Sequence, residues 1–80
     1  MQIKEAIVLK FKAICEERGM ALNQLATLSG VTPSTVYSMV DKSRKDLSVI
    51  TVKKLCDGLD ISIDEFFNDD IFRKLDQEIQ

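Results

Sequence analysis

Eighty residues, 45% of them hydrophobic and 30% charged, are enough for one small domain with a single core, and the composition excludes a disordered chain. Two cysteines are too few for a secreted disulfide scaffold, and the absence of histidine removes the commonest metal ligand and general base, so neither a metal nor a cofactor is expected. The net charge of −2 hides an uneven distribution: residues 1–54 carry nine basic and five acidic side chains, a surplus of +4, whereas residues 55–80 carry two and eight, a balance of −6.

In chain order, Ile3, Ile7, Phe11 and Ile14 recur at helical spacing, with Lys4, Lys10, Lys12, Glu16 and Glu17 off that stripe, and predict an amphipathic helix ending near Gly19. The same charges break up any signal-peptide core or membrane span here, so the expected location is cytoplasmic, with no membrane partner. A second helix is predicted over about Leu22 to Ser29, and Gly30 can take the positive φ that ends it. Thr32 can cap a third helix, about Pro33 to Asp41, with Pro33 at the first helical position, where its missing N–H costs nothing.

Lys42-Ser43-Arg44-Lys45-Asp46-Leu47 has no apolar period and reads as a loop. Ser48 can cap a fourth helix carrying Val52, Leu55, Cys56 and Leu59 at i, i+3, i+4 and i+7. Ser62-Ile63-Asp64-Glu65 has the form of a capping box, so a fifth short helix that buries Phe66 or Phe67 is expected. Beyond Asn68-Asp69-Asp70, residues suited to capping, Ile71, Leu75 and Ile79 recur every four positions beside Phe72 and predict a short sixth helix. Cys15 and Cys56, at apolar helical positions, read as small buried hydrophobes. The fold class is all-α, with a domain over 1–68 and a C-terminal tail over 69–80.

The most specific signal is the stretch Leu25-Ala26, Gly30-Val31-Thr32, Val36 and Met39, which sets two short helices about a tight turn: Ala26 lets them cross closely, and Leu25, Val36 and Met39 face inward. With Arg18-Gly19-Met20 before it and Leu55-Cys56-Asp57-Gly58-Leu59-Asp60-Ile61-Ser62 after it, this stretch resembles the lambda-repressor-like, Cro/C1-type (XRE) helix-turn-helix family over roughly residues 3 to 68. The resemblance implies a compact bundle of about five helices that reads double-stranded DNA with its third helix in the major groove. It further implies a transcriptional regulator, in expectation a repressor, acting as a homodimer on a palindromic operator.

On that resemblance, Pro33, Ser34, Tyr37 and Ser38 are the base-facing candidates. None is Arg, Gln or Asn, so base reading would rest on single hydroxyl bonds, apolar contact with thymine methyls and the tyrosine, with DNA shape contributing. Lys42, Ser43, Arg44 and Lys45 follow the third helix where the family runs its backbone-contacting loop, and Asn23, Thr32 and Thr35 complete the set assigned to phosphate. Leu22 stands where relatives often carry a phosphate-bonding Gln; Asn23 or the helix N-terminal amides would have to substitute. Cys15 and Val40 stand where many relatives carry an Arg–Glu pair between the first and third helices, so both partners of that bridge have become apolar here. Ile71, Phe72, Leu75 and Ile79 are the expected dimerisation surface, the alternative being that the tail folds back onto its own domain beside Phe66 and Phe67; in the dimer the acidic tail residues Asp69, Asp70, Asp76 and Glu78 would lie away from the phosphates.

An enzyme is not expected, because the chain has no glycine-rich phosphate loop and its carboxylates are scattered through caps and tail. No small-molecule ligand is evident. The alternative reading is a protein-binding module, an antitoxin-like or accessory regulator using the same fold, motivated by the weak base-reading set and the acidic tail.

Overall fold

The computed structural model describes residues 1–79. Among the described residues there are five α-helices, one 3-10 turn and no strand: α1 (Ile3–Glu17), α2 (Leu22–Ser29), α3 (Pro33–Val40), α4 (Val49–Gly58), α5 (Ile63–Phe67) and the turn Asp70–Phe72. None of these helices is long and apolar enough to cross a membrane.

The helix ends follow the local chemistry of the chain. Gly19 and Gly30 both sit at positive φ, 67° and 69°, and each leads into a wrap in which the following amide reaches back: Met20 N–H to the Cys15 carbonyl at 2.9 Å and Val31 N–H to that of Ala26 at 3.1 Å. Asp60, at φ 57°, makes the corresponding turn after α4, where Ile61 N–H donates to the Cys56 carbonyl at 3.0 Å. Thr32, Ser48 and Ser62 cap α3, α4 and α5 through their side-chain oxygens. At Ser62 the Glu65 carboxylate accepts from the Ser62 N–H at 3.4 Å, closing the capping box. α2 starts on Ala21, which has no oxygen to offer; instead Gln24 folds back so that its Oε1 accepts from the Ala21 N–H at 2.7 Å.

α2 lies at the centre, against α4, α3 and α1. The core gathers Phe11 and Cys15 from α1, Leu25 and Ala26 from α2, Val36 and Met39 from α3, Val52, Leu55 and Cys56 from α4, with Leu59 and Phe66 closing it. On α1 the buried side chains are Ala6, Ile7, Phe11 and Cys15 rather than the full predicted stripe. Ile3 is 40% exposed in the first turn, and Ile14 is half-buried beside a shallow hollow that it shares with Ile61 and Phe66. Arg18 joins α1 to the end of α4 by donating from Nη1 to the Leu59 carbonyl at 2.7 Å.

The expected sixth helix does not form. Asp69 does cap, accepting from the Ile71 N–H at 3.0 Å, but it caps a single 3-10 turn. Phe72 docks on the chain's own aromatic cluster, its ring centroid 5.7 Å from Phe66 and 4.8 Å from Phe67, while Phe66 stacks at 4.4 Å on Phe11. Lys10 pairs with Asp69 at 2.7 Å and holds the turn on α1. Residues beyond it run irregularly back to the start of α1, where the Asp76 N–H donates to the Met1 carbonyl at 3.0 Å and Glu78 accepts from the Ile3 N–H at 3.2 Å. The physical reason is that a helix of about twelve residues is marginal in water unless its apolar stripe is covered. Docking Phe72 and capping α1, whose Gln2 supplies no side-chain cap, satisfies the segment without a helix.

Candidate nucleic-acid interface

α3 turns Val36 and Met39 into the core, which leaves Pro33, Ser34 and Tyr37 fully outward and Ser38 half-buried beside them. Tyr37 is 74% exposed. The Thr32 side-chain oxygen accepts from the Thr35 N–H at 3.3 Å, and its hydroxyl lies 2.9 Å from that of Ser34 and 3.0 Å from that of Thr35. Three hydroxyls therefore cluster on the positive end of α3, a surface that can both donate to and accept from a polar ligand.

α2 contributes Asn23, exposed in its first turn, whose carbonyl accepts from the Thr27 hydroxyl at 3.2 Å. Leu22 is half-buried against the core.

Lys42, Ser43, Arg44 and Lys45 are all exposed on the loop after α3. Asp41 shapes that loop: its Oδ1 accepts from the Ser43 N–H at 2.9 Å and from the Ser43 hydroxyl at 2.8 Å, and the Arg44 N–H donates to the Asp41 carbonyl at 3.1 Å. The Ser43 bonds, backbone first, hold the Asp41 carboxyl below its usual range, with Arg44 and Lys4 adding a smaller Coulombic effect. Ser43 is thus engaged by Asp41, and the cations of the loop project on either side of it.

Sequence reasoning left one residue of this region on the solvated face of α1. Lys4 is half-buried, and its Nζ donates to the Asp41 carbonyl at 3.0 Å, to the Ser38 carbonyl at 3.5 Å and to the Arg44 carbonyl. Its helical register says only that Lys4 is off the apolar stripe. Its partners lie 34 to 40 positions away, and no local signal could have named them. A groove of about 580 Å³ opens alongside, lined by the apolar Val8, Leu9, Met39 and Val40, by Lys4, Lys12, Lys42, Arg44 and Lys45, and by the carboxylates of Glu5, Asp41 and Glu78.

The structure also relocates the tail. Ile71, Phe72 and Leu75 are half-buried on their own domain, while Ile79 is 86% exposed. Asp69 pairs with Lys10, Asp70 with Arg73 and Asp76 with the Met1 amine, but Glu78 lines the groove that Lys42, Arg44 and Lys45 also line. The expectation that all four tail acids lie away from the surface assigned to phosphate is not met at Glu78, which shares a groove with Lys42, Arg44 and Lys45, because the tail folds back along α1 instead of extending as a helix. Cys15 is 3% exposed in the core, and Val40 packs at the edge of the same cluster, so the pair that replaces a charged bridge is apolar in place as well as in sequence.

No curated protein matches the chain. A solved structure similar to it is the crystal structure of the prophage Lp1 protein 11, with a TM-score of 0.82 and 26% identity over 94% of this chain and 100% of that one. The sequence profile described as helix-turn-helix matches residues 11–66, which span α2 and α3 and reach into α5. The chain belongs to the Cro/C1-type helix-turn-helix family of DNA-binding regulators.

Proposed function

We propose that this chain is a sequence-specific transcriptional regulator, a repressor, that lays α3 in the major groove of double-stranded DNA. The observation that carries the reading is the exposure of two successive segments: Pro33, Ser34 and Tyr37 are exposed on α3, and Lys42, Arg44 and Lys45 are exposed on the loop directly after it. Phosphate contacts by the loop cations, with Asn23, Thr32, Thr35 and Ser43 at the margins, fix register; Pro33, Ser34, Tyr37 and Ser38 read base edges. Because that set offers no bidentate pair, much of the affinity is electrostatic, and sequence choice leans on thymine methyls and DNA shape.

One domain measures 36 × 25 × 20 Å, so one copy would cover one half-site. Two copies acting as a homodimer would set their recognition helices about 34 Å apart, one turn of DNA, on a palindromic operator. Since the apolar side chains of the tail other than Ile79 rest on their own domain, that pairing requires some other surface to contribute.

Selection of bound sites from a random duplex pool tests the reading. An enriched motif with two-fold symmetry is the expected result. A pool that stays unenriched through repeated rounds would defeat the proposal and favour a protein-binding role, which a pull-down from host lysate would then show.

A further inference from the structure

We infer that Lys4 is a positioning residue for DNA binding: it holds the phosphate-facing loop in its binding shape from behind, without touching DNA. The inference rests on the DNA-binding reading above and deepens it. An ammonium has three donors, and those of Lys4 converge on the carbonyls of Ser38, Asp41 and Arg44, two at the end of α3 and one inside the loop. α3 has no basic residue in its last turn, and its cap residue Asp41 is extended, so no glycine-type wrap satisfies the final carbonyls. Lys4 supplies both missing things at once, a donor set and a positive charge at the negative end of the helix.

The charges around this contact give Lys4 no competing partner among the described ion pairs. The Asp41 carboxylate is turned to Ser43 and loosely to Arg44, Glu78 accepts from the Ile3 amide, and Glu5 and Lys12 belong to the same groove without bonding Lys4. The loop has no regular structure between α3 and α4, so its backbone is held by the Asp41 turn on one side and Lys4 on the other. The family resemblance implies, at these positions in many relatives, an Arg–Glu bridge that ties the first helix to the end of the third. Here Cys15 and Val40 are apolar, and a tie between the same two elements runs from an ammonium to backbone carbonyls instead. A loop ordered before binding does not have to be ordered by the DNA, and that preorganisation is what Lys4 adds to affinity.

The test compares Lys4→Met, Lys4→Gln and Lys4→Arg with Lys12→Met, a neighbouring groove cation without a backbone bond. Amide exchange is read on the DNA-free protein, and polarisation against a selected duplex is followed across a salt series. In Lys4→Met and Lys4→Gln, exchange at Ser43 and Arg44 is expected to accelerate while α4 amides stay protected, and affinity to fall about tenfold, the equivalent of one charge-assisted hydrogen bond, with the salt slope unchanged. Lys4→Arg should restore most of both readouts, and Lys12→Met should leave loop exchange as it was. A salt slope lowered by about one in Lys4→Met would make Lys4 a direct phosphate contact, and unchanged loop exchange would remove the positioning role; either overturns the inference. If wild-type protein shows no DNA binding while loop exchange still responds to Lys4, the DNA-binding reading fails and the structural clamp stands.

Discussion

Gly58 of α4 lies directly against Ser29 of α2: a Cβ at position 58 would stand 3.1 Å from the Ser29 Cβ and 3.2 Å from its Cα, with the Ser29 hydroxyl closer still. That hydroxyl is buried and finds no hydrogen-bonding partner among the described residues. The two residues mark where the central helix pair is packed to its limit. Ser29→Ala should therefore raise stability by up to about 1 kcal/mol by removing an unsatisfied buried group. Gly58→Ala should lower it by about 1 to 3 kcal/mol despite better helix propensity. The double variant should recover part of the loss, and strict additivity in urea unfolding would mean that the contact does not limit the packing.

Phe72 anchors the tail on Phe66 and Phe67, so its loss should be felt in stability rather than assembly. Phe72→Ala is expected to cost about 2 to 3 kcal/mol, less than a fully buried phenylalanine because the ring is half-exposed. A chain ending at Asn68 should melt at lower temperature for the same reason, losing the Lys10–Asp69 pair as well. If truncation left the melting point unchanged and converted a dimer to a monomer in sedimentation, the tail would be an interface after all.

Asp69 is held below its usual carboxylate range, first by the Ile71 amide and then by Lys10. A depressed folded-state value means that its contribution is present above the unfolded value near pH 4 and is lost as pH falls through the lower folded value. Stability of the wild type should thus decline as pH falls below about 4, and Asp69→Asn should flatten part of that decline. Identical acid limbs for the two proteins in pH-dependent unfolding would exclude the Asp69 cap as a source.

The loop cations should govern how binding responds to salt. Replacing Lys42, Arg44 or Lys45 by Ala is expected to lower the slope of log affinity against log salt by about one per lost phosphate contact and to weaken all duplexes alike. Tyr37→Ala and Ser38→Ala should instead change preference among sites, measured on a duplex library. An unchanged slope in the triple variant would remove the loop from the interface.

Burial pushes both thiols up, Cys56 to about 11, with the Asp57 charge adding to it. Neither should react with a thiol reagent at pH 8 faster than the chain unfolds. Cys15→Arg, which puts a charge into a site 3% exposed, should cost about 3 to 5 kcal/mol, and adding Val40→Glu should return part of it. Purely additive effects would show that the two positions do not meet across the core.

Helices α1 to α5, and the ends marked by Gly19, Gly30, Thr32, Ser48 and Ser62, were legible in the sequence because their determinants are local. Gly19 and Gly30 supply positive φ, Thr32, Ser48 and Ser62 supply caps, and Val52, Leu55, Cys56 and Leu59 supply a period that only one face of a helix satisfies. The outward position of Pro33, Ser34 and Tyr37 follows from the same period once Val36 and Met39 are inside. The tertiary structure decided what local rules leave open. Ile71, Leu75 and Ile79 have helical spacing, but a short helix needs a surface to cover it, and the Phe66–Phe67 cluster captured Phe72 while the start of α1 captured Asp76 and Glu78. Lys4 likewise has a register but no readable partner, because a long flexible ammonium chooses its acceptors only after two helices distant in sequence have been brought together.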